Sequence, residues 1–267
     1  MASLAAAKPS AKNGLTLGYW AIRGLGQTCR LLLVYTQGAA WSEVLYEQGG
    51  EGSGYKKSWW TDVKATLGDQ GFDFPNLPHF KDEANGVALT QSVAIMRHIA
   101  RLAPERALFG TTLAEMASVD VLLEEVRDLK GPMTGQQYGA GAAADSDFAR
   151  GRLPAKLALL EGFLAKRGAG GDGGRWACGT AQPTIADFLL YETLEQCAAW
   201  SAGCLEPHAR LRAFGAQFGA IPELQAFLKA PQHVESADGR VVSGAGGGTF
   251  CTAFNNRFAK WRNYGNR

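Results

Sequence analysis

Tyr19, Trp20, Trp60, Lys64, Asn76, Pro78, Gln91 and Ser92 concentrate polar and aromatic chemistry in the first hundred residues. Singly, each has an ordinary reading: Tyr19 and Trp20 suit a core, Lys64 a solvated surface, Asn76 a turn and Ser92 a helix N-cap. Together they fall at the strand ends and helix starts of one α/β unit, where an open sheet places its ligand crevice. Other chemistries fit less well. Gly24-Leu25-Gly26 begins a dinucleotide fingerprint, but Cys29 stands at its last glycine position and no GxxxxGK[ST] loop occurs. His79, His98, His208 and His233 form no HExxH and no metal-ligand spacing with the cysteines. There is no GxSxG elbow, and Cys29, inside an apolar helical run, reads as a small core residue.

These positions need a scaffold, and the periodicity supplies one. Leu15 to Tyr19 alternates with period two, Arg23-Gly24-Leu25-Gly26 turns the chain, and Cys29 to Tyr35 is an apolar run of helical character. Trp41 to Glu47 is a second strand candidate. Leu77 to Phe80 and Val87 to Thr90 are short strands joined by Asp82-Glu83-Ala84-Asn85-Gly86, a hairpin signal, and Gln91-Ser92 opens a helix bearing Ile95 and Ile99. The order predicted is β-α-β-α-β-β-α, with the second helix placed in the irregular stretch before Leu67. From Leu113 the period becomes helical: Leu113, Met116, Leu122, Val126 and Leu129, then Leu153, Leu157, Leu160 and Leu164, then Ile185, Phe188, Leu189 and Leu194. A break at 101–112 with Pro104 separates an α/β domain from an all-helical one. Thr184-Ile185-Ala186-Asp187 reads as a structural capping box, with Asp in the Glu position.

Composition narrows the classes further. A chain of 267 residues, 46% hydrophobic and 19% charged, has ample apolar surface for a core and is not a disordered protein. Its net charge of +2 excludes a strongly polyanion-seeking surface. Five cysteines without a CxxC pair suit a reducing compartment. No apolar stretch reaches the roughly 18 residues of a membrane helix, and no signal peptide opens the chain, so a soluble cytoplasmic protein is expected. The 34 glycines cluster at 49–54, 168–174 and 244–248, which read as flexible surface insertions. Residues 1–13 carry Lys8 and Lys12 and no acid, a pattern shared by organelle-transit remnants and short disordered tails. The tail is the simpler reading.

Leu17-Gly18-Tyr19-Trp20-Ala21-Ile22-Arg23-Gly24-Leu25, Arg30-Leu31-Leu32-Leu33, Asp73-Phe74-Pro75-Asn76-Leu77-Pro78, Thr90-Gln91-Ser92 and Ile99-Ala100-Arg101 closely resemble the mu-class cytosolic glutathione S-transferases. The resemblance continues through Ile185 to Tyr191 and ends in Tyr264-Gly265-Asn266-Arg267. It implies an α/β thioredoxin-like N-terminal domain (14–101), a linker (102–112) and an all-α C-terminal domain (113–230), in a homodimer. Against the family, residues 231–250 read as a Gly-containing insertion, and the resemblance implies that 251–267 form a C-terminal tail over the electrophile site.

The resemblance also implies an activity: conjugation of reduced glutathione to hydrophobic electrophiles, as in detoxification, with glutathione a co-substrate and no bound cofactor or metal. Tyr19 matches the tyrosine whose hydroxyl holds the glutathione thiolate. Trp20, Leu25, Lys57, Trp60, Lys64, Asn76, Leu77, Pro78, Gln91, Ser92 and Asp128 match glutathione contacts, with Asp128 reaching the neighbouring subunit's ligand. Leu77-Pro78 resembles a cis peptide segment. Ile22, Thr134, Tyr138 and Phe258, with Trp20 and Leu25, match the electrophile subsite, and Tyr138 matches an electrophilic helper toward epoxides. Phe74 fits the aromatic key that crosses the dimer interface. Lys57 departs from the family's usual Arg, Asp69-Gln70-Gly71 is an insertion, and the 231–250 segment is additional. A non-catalytic carrier of hydrophobic ligands on the same scaffold is the alternative. A structural module of the kind found in translation-factor subunits predicts loss of the thiolate stabiliser, which Tyr19 opposes. A nucleic-acid module resting on Arg257 to Arg262 is opposed by the near-neutral charge, and no membrane partner is expected.

Overall fold

The structure, a computed structural model, describes residues 14–20, 22–46, 63–138, 146–171 and 173–229. Lys57, Trp60, Phe258, the 1–13 tail and the 231–250 insertion lie outside them. The chain divides into two compact units, the first built on residues through Ile99 and the second spanning Ala100–Gln225.

In the first unit the alternating apolar residues form β1 (Leu15–Trp20), followed by α1 (Gly26–Gln37), β2 (Ser42–Tyr46), β3 (His79–Asp82), β4 (Val87–Thr90) and α2 (Ser92–Arg101). The sheet order is β2-β1-β3-β4, with β1 parallel to β2 and the other neighbours antiparallel. A parallel pair requires a crossover, and α1 provides it, with Cys29, Leu31, Leu32 and Leu33 fully buried. The expected hairpin closes as its residues suggest: Asp82 accepts from the Asn85 N–H at 3.2 Å and from its side-chain amide at 2.7 Å, while Gly86 takes φ +64°. His98 of α2 bonds the same carboxylate at 2.9 Å, anchoring that helix to the sheet. This is the thioredoxin-like arrangement that the resemblance implies.

Most of the stretch expected to hold a second helix, residues 47–62, lies outside the described residues. From Val63 onward the chain forms two 3₁₀ turns, Lys64–Thr66 and Gly68–Gln70, ending at Gly71 with φ +88°. Gly68 weakens any longer helix, and the Thr66 hydroxyl donates to the Val63 carbonyl at 2.8 Å, a local bond that competes with helical continuation.

The second unit is helical: α3 (Leu113–Tyr138), α4 (Leu153–Lys166), α5 (Ile185–Trp200) and α6 (Ala209–Gly219). Leu122, Val126 and Leu129 are buried on α3, as are Leu153, Leu157, Leu160 and Leu164 on α4. Leu113 and Met116 do not join that face; they are 86% and 39% exposed. The first turn of α3 is held by polar caps instead, with Glu115 accepting from the Thr111 and Thr112 amides.

The capping box at the start of α5 forms as read. Asp187 accepts from the Thr184 N–H and hydroxyl, both at 2.7 Å, and also from the Ala177 N–H at 2.8 Å. The Gly168–Gly174 run is not a loose insertion: a Cβ on Gly170, at φ +60°, would lie 2.3 Å from the Arg210 carbonyl oxygen. Glycine is required there by close packing against the start of α6.

Candidate functional site

Tyr19 ends the buried run of β1, where the chain leaves the sheet for the Arg23-Gly24-Leu25 turn. Its ring is 5% exposed and clusters with Ile22, Leu67, Phe72 and Leu77, with Trp20, Tyr46 and Val63 at the edge. Its hydroxyl accepts the Leu25 N–H at 2.8 Å, at the threshold of α1. That bond uses an oxygen lone pair and does not consume the phenolic proton. Helix-start amides and the helix dipole favour negative charge nearby, so this corner suits a tyrosine that donates to an anion.

Leu77-Pro78 is a cis peptide, with both residues buried. The Leu77 N–H donates to the Asn76 side-chain carbonyl at 2.9 Å, and Asn76 itself is exposed. Gln91 has φ +70°, a conformation few non-glycine residues adopt. It lies exposed, and its carbonyl accepts the Ile95 N–H at 3.0 Å, so Ser92 and the next residues carry the first-turn amides of α2. Lys64 is half-buried in its 3₁₀ turn.

Beneath the cis peptide, His79 packs edge-on to Phe72 and bonds Tyr46 Oη through Nε2 at 2.9 Å. Burial, aided by Lys81, pulls its pKa down to about 3, so the ring is neutral. A Cβ at Gly18 would lie 2.0 Å from that ring, which explains the glycine inside β1.

Residues 15–101 match the glutathione S-transferase N-terminal domain model, and residues 127–231 match the C-terminal domain model. Glutathione S-transferase Mu 5 of Rattus norvegicus is 32% identical, with 95% of this chain and 98% of that protein covered. Glutathione S-transferase Mu 1 of Oryctolagus cuniculus is 34% identical over 82% of this chain and 93% of that protein. The chain belongs to the mu-class glutathione S-transferases. Among solved structures, the pi-class glutathione S-transferase of Onchocerca volvulus superposes with TM-score 0.63 at 28% identity, over 80% of this chain and 92% of that one.

For a transferase of this class, the helical unit offers a second feature. Between α3 and α4 lies a hollow of about 610 Å³ with an apolar floor of Val121, Leu159, Leu160 and Phe163 and an acidic border of Asp120, Glu124, Glu125 and Asp128. Val121 and Leu159 are 59% and 63% exposed. In the first unit Phe74 stands 74% exposed, ahead of the cis peptide, while Thr90 Oγ1 donates to its carbonyl at 2.8 Å and fixes the backbone beneath it. Thr134 is half-buried on α3, where the Gln196 side-chain amide reaches its hydroxyl at 3.4 Å and Gln137 at 2.7 Å. Tyr138 is the last residue of α3.

The structure therefore brings Tyr19, Ile22 and Leu77 of this transferase into one cluster with Trp20 at its edge, and sets Gln91-Ser92 at a helix start. Sequence reading missed the partners of Tyr19: the Leu25 amide, Gly24 and Arg30. A signal for Arg30 was present, since a charge inside the apolar run from Cys29 to Val34 is rarely buried without a partner. Among the described residues no cluster of His, Cys, Asp and Glu could hold a metal, and no helix is long and apolar enough to cross a membrane.

Proposed function

We propose that this chain joins reduced glutathione to hydrophobic electrophiles, with Tyr19 as the residue that stabilises the thiolate. The observation carrying this reading is the Leu25 N–H to Tyr19 Oη bond, which orients the hydroxyl beside the start of α1 through its oxygen lone pair. A free thiol has a pKa near 8.5, so only a few per cent is thiolate at neutral pH. A hydrogen bond to the anion shifts that balance, and the thiol proton passes to solvent. The sulfur lone pair then forms the C–S bond as a leaving group departs, or as an activated double bond or epoxide opens and its oxygen or carbanion takes a proton. No bound cofactor enters; glutathione is consumed as a co-substrate.

Lys64, with Lys57 and Trp60, holds the glycine carboxylate of glutathione. The Leu77 backbone pairs with its cysteinyl residue once Asn76 yields the Leu77 N–H, while the α2 amides at Gln91-Ser92 receive the γ-glutamyl carboxylate. Trp20, Ile22 and Leu25, together with Thr134, Tyr138 and Phe258, serve the electrophile, the Tyr138 hydroxyl donating to an opening epoxide. Two copies assemble, with Phe74 of one seated in the apolar hollow of the other and Asp128 supplying charge to the neighbour's ligand. The exposure of both the key and the hollow supports this pairing. A cytoplasmic location suits the free cysteines Cys29, Cys178, Cys197 and Cys204. The carrier reading is disfavoured by relatives that bear the transferase name.

Conjugation of glutathione to chlorodinitrobenzene by the parent and by Tyr19→Phe tests this reading. Loss of one anion-stabilising donor lowers kcat/KM by about 10²-fold or more, with glutathione affinity retained. A parent that binds no glutathione would refute it.

A further inference from the structure

Arg30 is a guanidinium with no solvent exposure, in the middle of α1. It donates to the Ile22 carbonyl at 2.7 Å and the Trp20 carbonyl at 3.0 Å, and it pairs through Nε with Glu43 of β2, itself fully buried. The two carbonyls flank position 21 in the segment leaving Tyr19. The same guanidinium lies 5.7 Å from the centroid of the Tyr19 ring. We propose that Arg30 is a positioning residue for Tyr19: its planar fork clamps the Trp20 and Ile22 carbonyls, and its buried cation faces the phenol ring, making the Tyr19 hydroxyl a stronger hydrogen-bond donor to the glutathione sulfur.

Further arguments support this beyond the contacts themselves. A cation against an aromatic face stabilises electron density moving into that ring, which is the direction of change as a phenol shares its proton with an anion. The register pairs Leu17 with Glu43 and Tyr19 with Leu45, so Glu43 stands two positions along the sheet while the guanidinium borders the ring. The cation lies 5.7 Å from the ring centroid, and Glu43, paired with it, partly offsets it. Cys29, the other titratable neighbour on α1, is pushed up to about 12 chiefly by burial and stays neutral. The clamp needs a planar fork that reaches two carbonyls and a carboxylate at once, which a lysine lacks.

The inference rests on the thiolate role of Tyr19, and the test separates the two. The apparent pKa of enzyme-bound glutathione is read from thiolate ultraviolet absorbance and from the pH profile of kcat/KM. The variants are Tyr19→Phe, Arg30→Met, Glu43→Gln, Arg30→Lys and the double variant Arg30→Met with Glu43→Met. Tyr19→Phe moves the pKa toward the free-thiol value; if it does not, the thiolate reading itself fails. Arg30→Met raises the pKa by about half a unit, roughly threefold in thiolate fraction on the acid side. Glu43→Gln, which breaks the same ion pair but spares the cation, lowers it. A merely structural pair would move both in one direction, and that result overturns the proposal. Removing one partner of a buried pair is strongly destabilising, so the double variant, which leaves no lone charge, and Arg30→Lys decide the matter if the singles do not fold. The double variant raises the pKa by less than Arg30→Met alone, since the offsetting carboxylate leaves with the cation, whereas Arg30→Lys, which keeps the charge but not the fork, falls between the parent and the double. An unchanged double variant, or Arg30→Lys shifted as far as the double, overturns the proposal.

Discussion

The backbone N–H of Leu25 donates a 2.8 Å hydrogen bond to Tyr19 Oη, so the phenol is oriented by the first residues of the helix that follows it rather than by its own strand. The intervening turn therefore sets where the hydroxyl lies, because any change in its path moves that bond.

Gly24 tests this most directly. It has φ +42°, and a Cβ there would sit 2.5 Å from Tyr19 Oη. Gly24→Ala is expected to displace the hydroxyl and lower kcat/KM about tenfold or more, equivalent to roughly 1.4 kcal/mol of transition-state stabilisation. Glutathione affinity should stay near the parent's. Steady-state kinetics with parental kcat/KM would show that the turn does not set the hydroxyl.

Phe74 should govern assembly. Truncating a buried aromatic anchor costs about 2 kcal/mol or more, so Phe74→Ala is expected to weaken a dimer by over about thirtyfold. Leu159→Lys, placed in the hollow, should act likewise. Sedimentation over a concentration series checks both, and a dimer as tight as the parent's in each would remove Phe74 from the interface.

His79 gives the fold an acid limit. Its pKa falls from 6.5 when unfolded to about 3 when folded, so between these values the unfolded chain binds more protons. Stability from this group is complete above pH 6.5 and is lost as pH drops toward 3, by up to about 1.4 kcal/mol per pH unit. Denaturant melts at pH 7, 5.5 and 4 should show a shallower acid loss in His79→Phe than in the parent. Equal slopes would mean that His79 is already solvated in the fold.

Asp187 is a stability residue of the helical unit. It accepts three hydrogen bonds at the start of α5, and Asp187→Ala strands those donors at a cost of about 2 kcal/mol or more. Thermal melting should shift down by roughly 5 °C or more, with kcat retained at temperatures where the variant is folded. A selective loss of kcat without a change in melting would contradict the capping role.

Much of this was legible in the chain itself. Period-two alternation at Leu15 to Tyr19, turn residues around Asn85-Gly86 and helical spacing after Leu113 are local patterns, and local patterns specify elements because each is decided by neighbours a few residues away. The thiolate candidate Tyr19 and the Gln91-Ser92 helix start were likewise visible from motif and position.

What failed locally failed for a stated reason. Leu113 and Met116 have the spacing of a buried face, yet a helix's first turn can extend beyond the packing, and Glu115 caps it there. The Gly168 run has the composition of a flexible loop, but Gly170 is glycine because the Arg210 backbone leaves no room for a Cβ.

The sequence by itself therefore determined the described strands and helices, their order and Tyr19 as the thiolate candidate, since those reside in residue type and short-range spacing. Only the tertiary structure decided that the Leu25 amide holds the Tyr19 hydroxyl, that Arg30 and Glu43 meet across α1 and β2, and that Tyr46 bonds His79. Such pairings depend on strand register and on a crossover helix laying one charge against another, and no residue carries that information until the chain has folded around it.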